Sequence, residues 1–201
     1  MSNPNIKPRF SIVVAVHDQA QEIEQNLPAL LSQQYESYEV IVVDMSSTDG
    51  TTDVLKQLKA SHPHLYTTFL PKYQFQKNPL RLADTIGVKA AKYEWIVFAD
   101  INKLPPSEHW LEELAQFACR PTVLLLGYIQ GKTNDVRLQT FDNVADAQRK
   151  VKKTETERAS GGKGARWLRY LRGRYDFMVV SADKGHETLR MFENTDKIQK
   201  I

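Results

Sequence analysis

Tyr38-Glu-Val-Ile-Val-Val-Asp44-Met-Ser-Ser-Thr-Asp-Gly-Thr51 is the stretch on which the fold is decided. Its first half is a short apolar run rich in β-branched residues, which suits a strand buried on both faces, as in a parallel sheet. The run stops at Asp44. Met45 to Gly50 then gathers turn and capping residues, and a helix is expected from Thr51 to Ala60 with Val54, Leu55 and Leu58 on one side. The same grammar extends outward. Upstream, Phe10 to Val16 is a second buried run that ends at His17-Asp18. After it, Ile23, Leu27, Leu30 and Leu31 recur at helical spacing between Gln19 and Gln33, with Asp18 as the expected N-cap and Pro28 as the expected kink. Downstream come a strand at Leu65 to Leu70, a helix at Arg81 to Lys92, and a strand at Glu94 to Ala99 that stops at Asp100. A helix from Glu108 to Cys119 and a fifth strand from Pro121 to Ile129 follow. Strand, loop and helix in strict alternation are the sequence form of right-handed βαβ units, so the expected fold is α/β with a doubly wound, mostly parallel sheet flanked by helices.

Beyond Gly131 the pattern weakens. Thr140 to Arg158 reads as polar and partly helical, Ser160 to Gly164 as a hinge, and Asp176 to Asn194 as a terminal helix. Residues 1–130 are therefore expected to form the α/β unit, and 131–201 a short, helical, basic C-terminal part, in the same domain or as an appendage.

The 201 residues, 41% hydrophobic and 25% charged with 9 Gly and 9 Pro, have the composition of a soluble globular protein, which excludes collagenous, low-complexity and wholly disordered classes. A fold of this size buries about 70% of its unfolded-chain surface and needs no disulfide or metal to stand. No apolar run approaches the roughly 18 residues of a membrane span. Met1 to Arg9 is polar, neither a signal peptide nor a transit peptide, so the expected compartment is the cytoplasm. The single Cys119 and five scattered histidines offer no metal-ligand spacing. Charge is unevenly placed. Ten cations and two anions between Arg149 and Arg174 give a local +8 within a chain whose net charge is +3. There Arg166-Trp-Leu-Arg-Tyr-Leu-Arg-Gly-Arg174 interleaves cations with aromatics and leucines, as an interfacial helix on anionic lipid does; the competing reading is a solvated helix flank whose Trp167 and Leu171 pack on the domain. Nucleic acid is not an expected partner, because no RRM or KH framework accompanies these aromatics.

In an open α/β sheet, ligands bind beyond the carboxyl ends of the strands. Three strands end in an acid or its neighbour, at Asp18, Asp44 and Asp100, and three such acids converge on one crevice. No G-x-G-x-x-G follows the first strand, and Gly161-Gly-Lys-Gly164 lacks P-loop spacing, so dinucleotide and P-loop sites are excluded. Taken singly, Asp18, Asp44 and Asp49 read first as helix caps.

Taken together, Ser11-Ile-Val-Val-Ala-Val-His-Asp18, Tyr38 to Thr51, Arg81 to Gly87 and Glu94-Trp-Ile-Val-Phe-Ala-Asp100 closely resemble the nucleotide-sugar-binding half of family 2 glycosyltransferases, which have the GT-A fold. The resemblance covers about residues 9 to 115 and implies a role for each matching position. Val16-His17-Asp18 matches the loop that lies along the nucleoside, with Asp18 toward the ribose. Asp44 matches the carboxylate that reads the base, and an acceptor there suits the N3–H donor of uracil. Ser46 to Gly50, with Ser46 and Asp49, shapes the pocket. Arg81 lies where the family often has a basic residue able to approach the diphosphate; the other reading is a solvent-facing helix arginine. Asp100 matches the first acid of the D-x-D motif, which holds Mg²⁺ or Mn²⁺ against the diphosphate and so eases departure of the nucleoside diphosphate.

The chain departs from the pattern at Met45, which replaces an acid, and at Thr85, which replaces an asparagine. It also departs at Asn102 and Lys103, which follow Asp100 where a second acid belongs. An amide is a weaker ligand than a carboxylate and an ammonium repels a divalent ion, so Asp100 is the one anionic metal ligand expected, dependence on metal is expected to be weak, and Lys103 becomes a candidate diphosphate contact. No clear match to the acceptor-side acid follows Gly127; Asp142, Asp176 and Asp183 qualify by position alone. The resemblance implies an inverting transferase that moves a sugar from a nucleotide donor, UDP-linked by the Asp44 argument, to a hydroxyl in polysaccharide or glycolipid synthesis. The alternative is a catalytically inactive GT-A-fold protein that keeps a nucleotide pocket or serves as a scaffold. Localisation is then cytoplasmic, peripheral on the inner membrane face if the basic segment docks there.

Overall fold

The computed structural model describes residues 7–70, 79–119, 122–130, 135–147, 149 and 176–184. Beyond Arg149, the basic segment to Arg174 lies outside the described residues. So do the hinge at 160–164 and the end of the expected terminal helix.

The first half alternates as read: β1 Phe10–Val16, α1 Ala20–Leu31, β2 Tyr38–Asp44, α2 Thr51–Ser61, β3 Leu65–Phe69, α3 Pro79–Ala90 and β4 Trp95–Ala99. There follow α4 Trp110–Ala115, shorter than expected, and then β5 Leu124–Gln130, β6 Asp135–Phe141 and β7 Phe177–Ser181. Seven strands form one mixed sheet in the order β3-β2-β1-β4-β7-β5-β6. β3, β2, β1 and β4 are mutually parallel, in registers that set Val16 opposite Asp44 and Val14 opposite Ala99. β7 runs antiparallel between β4 and β5, and β6 closes the far edge as the antiparallel partner of β5.

Side chains alternate between two cores. Phe10, Ile12, Val14, Val16, Val40, Val42, Trp95 and Val97 face α1, α2 and α4, while Val13, Ile41, Val43, Ile96 and Phe98 face α3. Both faces being covered explains why the parallel strands read as continuous apolar runs. α3 lies so close to β1 that a Cβ on Gly87 would come within 2.3 Å of Val13 Cγ1, a contact only glycine permits. α1 continues through Pro28, the missing N–H being outweighed by burial of Ile23, Leu27, Leu30 and Leu31. At the amino ends of the strands, buried Glu39 accepts from Ser11 Oγ at 2.8 Å and Lys92 N–H at 2.8 Å and pairs with Lys92 Nζ at 3.2 Å, so its charge is fully engaged in structure.

Two expectations are corrected. The start of the expected terminal helix, Asp176 onward, is instead β7. Phe177-Met178-Val179-Val180 is buried on both faces of the sheet beside β4, and a run without period cannot distinguish strand from helix. The sequence reading also passed over β6. As an edge strand, Asp135-Val-Arg-Leu-Gln-Thr-Phe141 lacks the continuous apolar run of its central neighbours.

Candidate functional site

The carboxyl ends of β2, β1 and β4 lie side by side, and their acids form two groups. At the β2 end, Asp44 is 7% exposed. Its Oδ1 accepts from the N–H of Ser47 at 2.9 Å and the Ser47 hydroxyl at 2.6 Å, and its Oδ2 accepts from the Thr52 hydroxyl at 3.2 Å. Ser47 Oγ in turn accepts from the N–H of Asp18 at 2.9 Å. Asp18 returns the link across the loops, its Oδ1 accepting from the N–H of Thr48 at 2.6 Å and the N–H of Asp49 at 3.4 Å.

Asp49 completes the clasp. Its Oδ2 accepts from Ala20 N–H at 3.0 Å and its Oδ1 from Thr51 N–H at 2.9 Å, so one carboxylate caps the starts of both α1 and α2. The expected cap of α1 by Asp18 is therefore corrected. Asp18 faces the opposite loop because its φ of 50° turns it away from the helix, whose N-cap Gln19 makes no side-chain capping bond. Ser46 shares this left-handed conformation at φ 58°. Such residues cost about 1–3 kcal/mol each and persist only where neighbours over-determine them. Here the Ser46 hydroxyl donates to the Leu70 carbonyl, and Leu70 N–H donates to the Asp44 carbonyl at 2.7 Å.

Hydrogen bonds to the charged form hold both exposed carboxyls below the ordinary range. For Asp18 the N–H of Thr48 dominates; for Asp49 the Thr51 side chain leads, followed by the N–H of Ala20. His17 is exposed, with Nε2 3.5 Å from Asp18 Oδ2. Val16 has its side chain wholly in the core and its carbonyl accepting from Met45 N–H at 2.8 Å, so it supports the loop and presents no side chain to a ligand. Arg81 lies in the first turn of α3, where its carbonyl accepts from the Thr85 hydroxyl at 2.9 Å.

The second group lies at the β4 end. Asp100 Oδ1 accepts from the N–H of Asn102 at 3.0 Å and its amide Nδ2 at 2.9 Å, folding Asp100 to Lys103 into a tight turn. Lys103 Nζ lies 2.6 Å from Asp176 Oδ1. The sequence reading gave Asp176 no special standing over Asp142 and Asp183. The structure separates the three, leaving Asp142 and Asp183 exposed while β7 brings Asp176 to the end of β4. The Thr52 hydroxyl, also missed, and that of Ser47, read only as part of the Ser46 to Gly50 loop, were signalled by the Ser-Ser-Thr-Asp-Gly-Thr-Thr run beside Asp44.

Among the described residues no three His, Cys, Asp or Glu side chains gather into a metal cage. The donor set nonetheless fits a cation held largely by phosphate oxygens, since Mg²⁺ commonly takes one or two carboxylates and completes its shell with substrate and water. Asp100, with Oδ1 engaged by Asn102, is the carboxylate available for that role.

Parallel strands flanked by helices, with acids at the carboxyl ends of β2, β1 and β4, define an α/β protein of the kind that binds ligands beyond the carboxyl ends of its parallel strands. The family model for glycosyl transferase family 2 matches residues 11–177, and the chain belongs to that family. It is 28% identical over 145 residues to glycosyltransferase AglE of Haloferax volcanii, an alignment covering 68% of this chain and 46% of AglE. The chain thus spans just under half the length of that relative. Among solved structures it is similar to the mannosyltransferase PcManGT from Pyrobaculum calidifontis in complex with GDP-Man and Mn²⁺, at 26% identity and TM-score 0.52, covering 61% of this chain and 36% of that one. S. aureus TarS 1–349 in complex with UDP-GlcNAc, at 24% identity and TM-score 0.52 over 63% of this chain and 36% of that one, shares the fold. No helix among the described residues is long and apolar enough to cross a membrane.

Proposed function

We propose that the crevice binds a nucleotide sugar, UDP-linked, and transfers its sugar with inversion to a hydroxyl acceptor in polysaccharide or glycolipid synthesis. The observation that carries this reading is the alignment of Asp44, Asp18 and Asp100 at the ends of three adjacent strands. At about 4.8 Å per strand spacing, the β2 and β4 ends lie about 10 Å apart, a distance a nucleoside diphosphate can bridge.

In this reading Asp44 accepts from the base while Ser47 and Thr52 hold its carboxylate in place. The Asp18–Thr48–Asp49 clasp, with Ser46 and His17, walls the ribose. Asp100 and Asn102 meet the diphosphate, with Lys103 beside them in the same turn and Arg81 approaching from α3. Bound Mg²⁺ or Mn²⁺ would be held by Asp100 and would neutralise charge growing on the leaving diphosphate. Dependence on the ion is expected to be weak, because Asn102 replaces an acid. The acceptor hydroxyl passes its proton to a general base on the acceptor side and its oxygen bonds to the anomeric carbon as the bond from that carbon to the diphosphate breaks, the nucleoside diphosphate leaving with the electron pair. Residues 131–201 contribute to the acceptor side, and the stretch 149–174 attaches it to anionic lipid. That attachment predicts vesicle sedimentation with phosphatidylglycerol that declines steeply with salt; no sedimentation at low salt removes it.

Thermal shift with UDP and GDP, each with and without Mn²⁺, tests the central reading. UDP should stabilise the full chain more than GDP, and four null results would overturn it. The second reading, a nucleotide-binding protein without transfer, is favoured by Asn102 and Lys103 where an acid belongs. It predicts UDP binding with no release of UDP from any UDP-sugar.

A further inference from the structure

Lys103, read from sequence as a cation next to Asp100, has a partner that only the sheet topology supplies. β7 pairs antiparallel with β4 so that Phe177 lies opposite Ala99, which sets Asp176 beside the start of the Asp100–Lys103 turn. Three contacts fix it there. Asp176 N–H donates to the Gly127 carbonyl at 2.9 Å. The Phe177 ring lies over Gly127, where a Cβ would come within 2.1 Å of Phe177 Cζ, so only glycine admits the ring. The same ring packs edge-on against Trp110 with centroids 5.0 Å apart. From this fixed position Asp176 Oδ1 meets Lys103 Nζ at 2.6 Å, with the lysine side chain 32% and the aspartate 20% exposed.

We infer that Asp176 is a positioning residue for the diphosphate end of the crevice: by holding Lys103 it decides whether a bound diphosphate is met by this ammonium or by a divalent cation. The inference rests on the nucleotide reading above. Among the described side chains, Asp100 and Lys103 alone leave the turn neutral, and Asp176 adds one negative charge, which favours a cation at Asp100 while the ion pair keeps the ammonium from the phosphate oxygens. Sequence alone suggests that Lys103 substitutes for the metal. The ion pair says that it does so only when released from Asp176.

The test is UDP affinity of the full-length protein by calorimetry, with EDTA and with Mn²⁺, read as the ratio of the two dissociation constants. Asp176→Asn loosens the hold on Lys103, so metal-free UDP binding should tighten about tenfold, or about 1.4 kcal/mol, and the ratio should fall below the wild-type value. Lys103→Met releases Asp176 instead. Metal-free binding should then weaken and the ratio rise by about the same factor. Asp176→Glu, which keeps the pair, should keep the wild-type ratio. A merely structural role would move both constants together in both variants, which is why the opposite signs are diagnostic. Wild-type UDP binding with a ratio unchanged by either substitution overturns the inference alone. No UDP binding by the wild type in either condition overturns the nucleotide reading and the inference with it.

Discussion

The two ends of the crevice are built by different physics. At the β1–β2 end, three carboxylates are held by backbone N–H groups and hydroxyls, with Asp44, Asp18 and Asp49 each accepting two or more hydrogen bonds within a single pair of neighbouring loops. At the β4–β7 end, an ion pair between the turn after β4 and the residue before β7, Lys103 with Asp176, does the equivalent work. Hydrogen bonds from neutral donors fix shape and are insensitive to salt, whereas an ion pair one-third exposed fixes charge and yields to salt and competing ions. The first end is thus suited to recognising a neutral base and sugar. The second is suited to an anionic group whose counter-ion can be exchanged.

The sharpest way to break this comparison is at Asp44. Asp44→Ala leaves the Ser47 and Thr52 donors without their acceptor in a site only 7% exposed, and we expect a loss of about 3 kcal/mol in stability together with loss of the UDP-induced thermal shift. Asp44→Asn retains the shape and much of the stability but presents a donor to the base edge, and should still lose the shift. An undiminished UDP shift in Asp44→Asn would remove this carboxylate from base recognition.

Gly127→Ala tests the other end without touching β1 or β2. Its Cβ would sit 2.3 Å from Phe177 Cε2, so β7 must move and carry Asp176 with it. Overpacking of this kind costs about 1–3 kcal/mol. The variant should still bind UDP but with metal dependence moved toward that of Asp176→Asn. If UDP binding disappears altogether, the two ends are not separable.

The difference between the ends is also the difference between what the sequence discloses and what it conceals. Asp18, Asp44 and Asp49 fall within short motifs after unbroken apolar strands, and their partners Ser47, Thr48 and Thr51 are a few residues away or in the adjacent loop, so composition and order were enough to bring them together. Lys103 and Asp176 are joined by β7, a five-residue strand that returns antiparallel after a long excursion, and nothing local marks it as a strand. The cue was present in Phe177-Met-Val-Val180 but was indistinguishable from a buried helical turn. β6 was concealed for the opposite reason: at the sheet edge its alternation is diluted by Arg137, Gln139 and Thr140. Alternation of βα units was legible because each unit buries both faces; the mixed half was not, because antiparallel partners are chosen by tertiary contact.

At the β4 end, Asn102→Asp restores the missing acid beside Asp100. One added negative charge should raise the preference for Mn²⁺ over EDTA in UDP binding by up to about tenfold, and combining it with Lys103→Ala should raise it further. A ratio unmoved by Asn102→Asp would mean that the amide already serves as an adequate ligand.

The smallest expected effect is at the clasp, and it is a matter of pH. Asp18 and Asp49 are held below the ordinary value of 3.8 by hydrogen bonds from Thr48 and from Thr51 and Ala20, so the folded chain binds these protons more weakly than the unfolded chain does. Stability contributed by such groups is fully present above the ordinary carboxylate value and is lost as pH falls through the depressed one. Between about pH 7 and pH 5 the clasp should therefore be unaffected, with its loss confined to the acid limb below about pH 4. Asp18→Asn removes one of these charges at every pH. Its melting temperature should lie below that of wild type near neutrality and converge with it in acid, where the wild-type carboxyl is itself protonated. Because both carboxyls are exposed, the gap should be small. A gap that persists undiminished at the acid end would show that Asp18 holds Thr48 by shape, and that the charge of its carboxylate contributes nothing to closing the two loops.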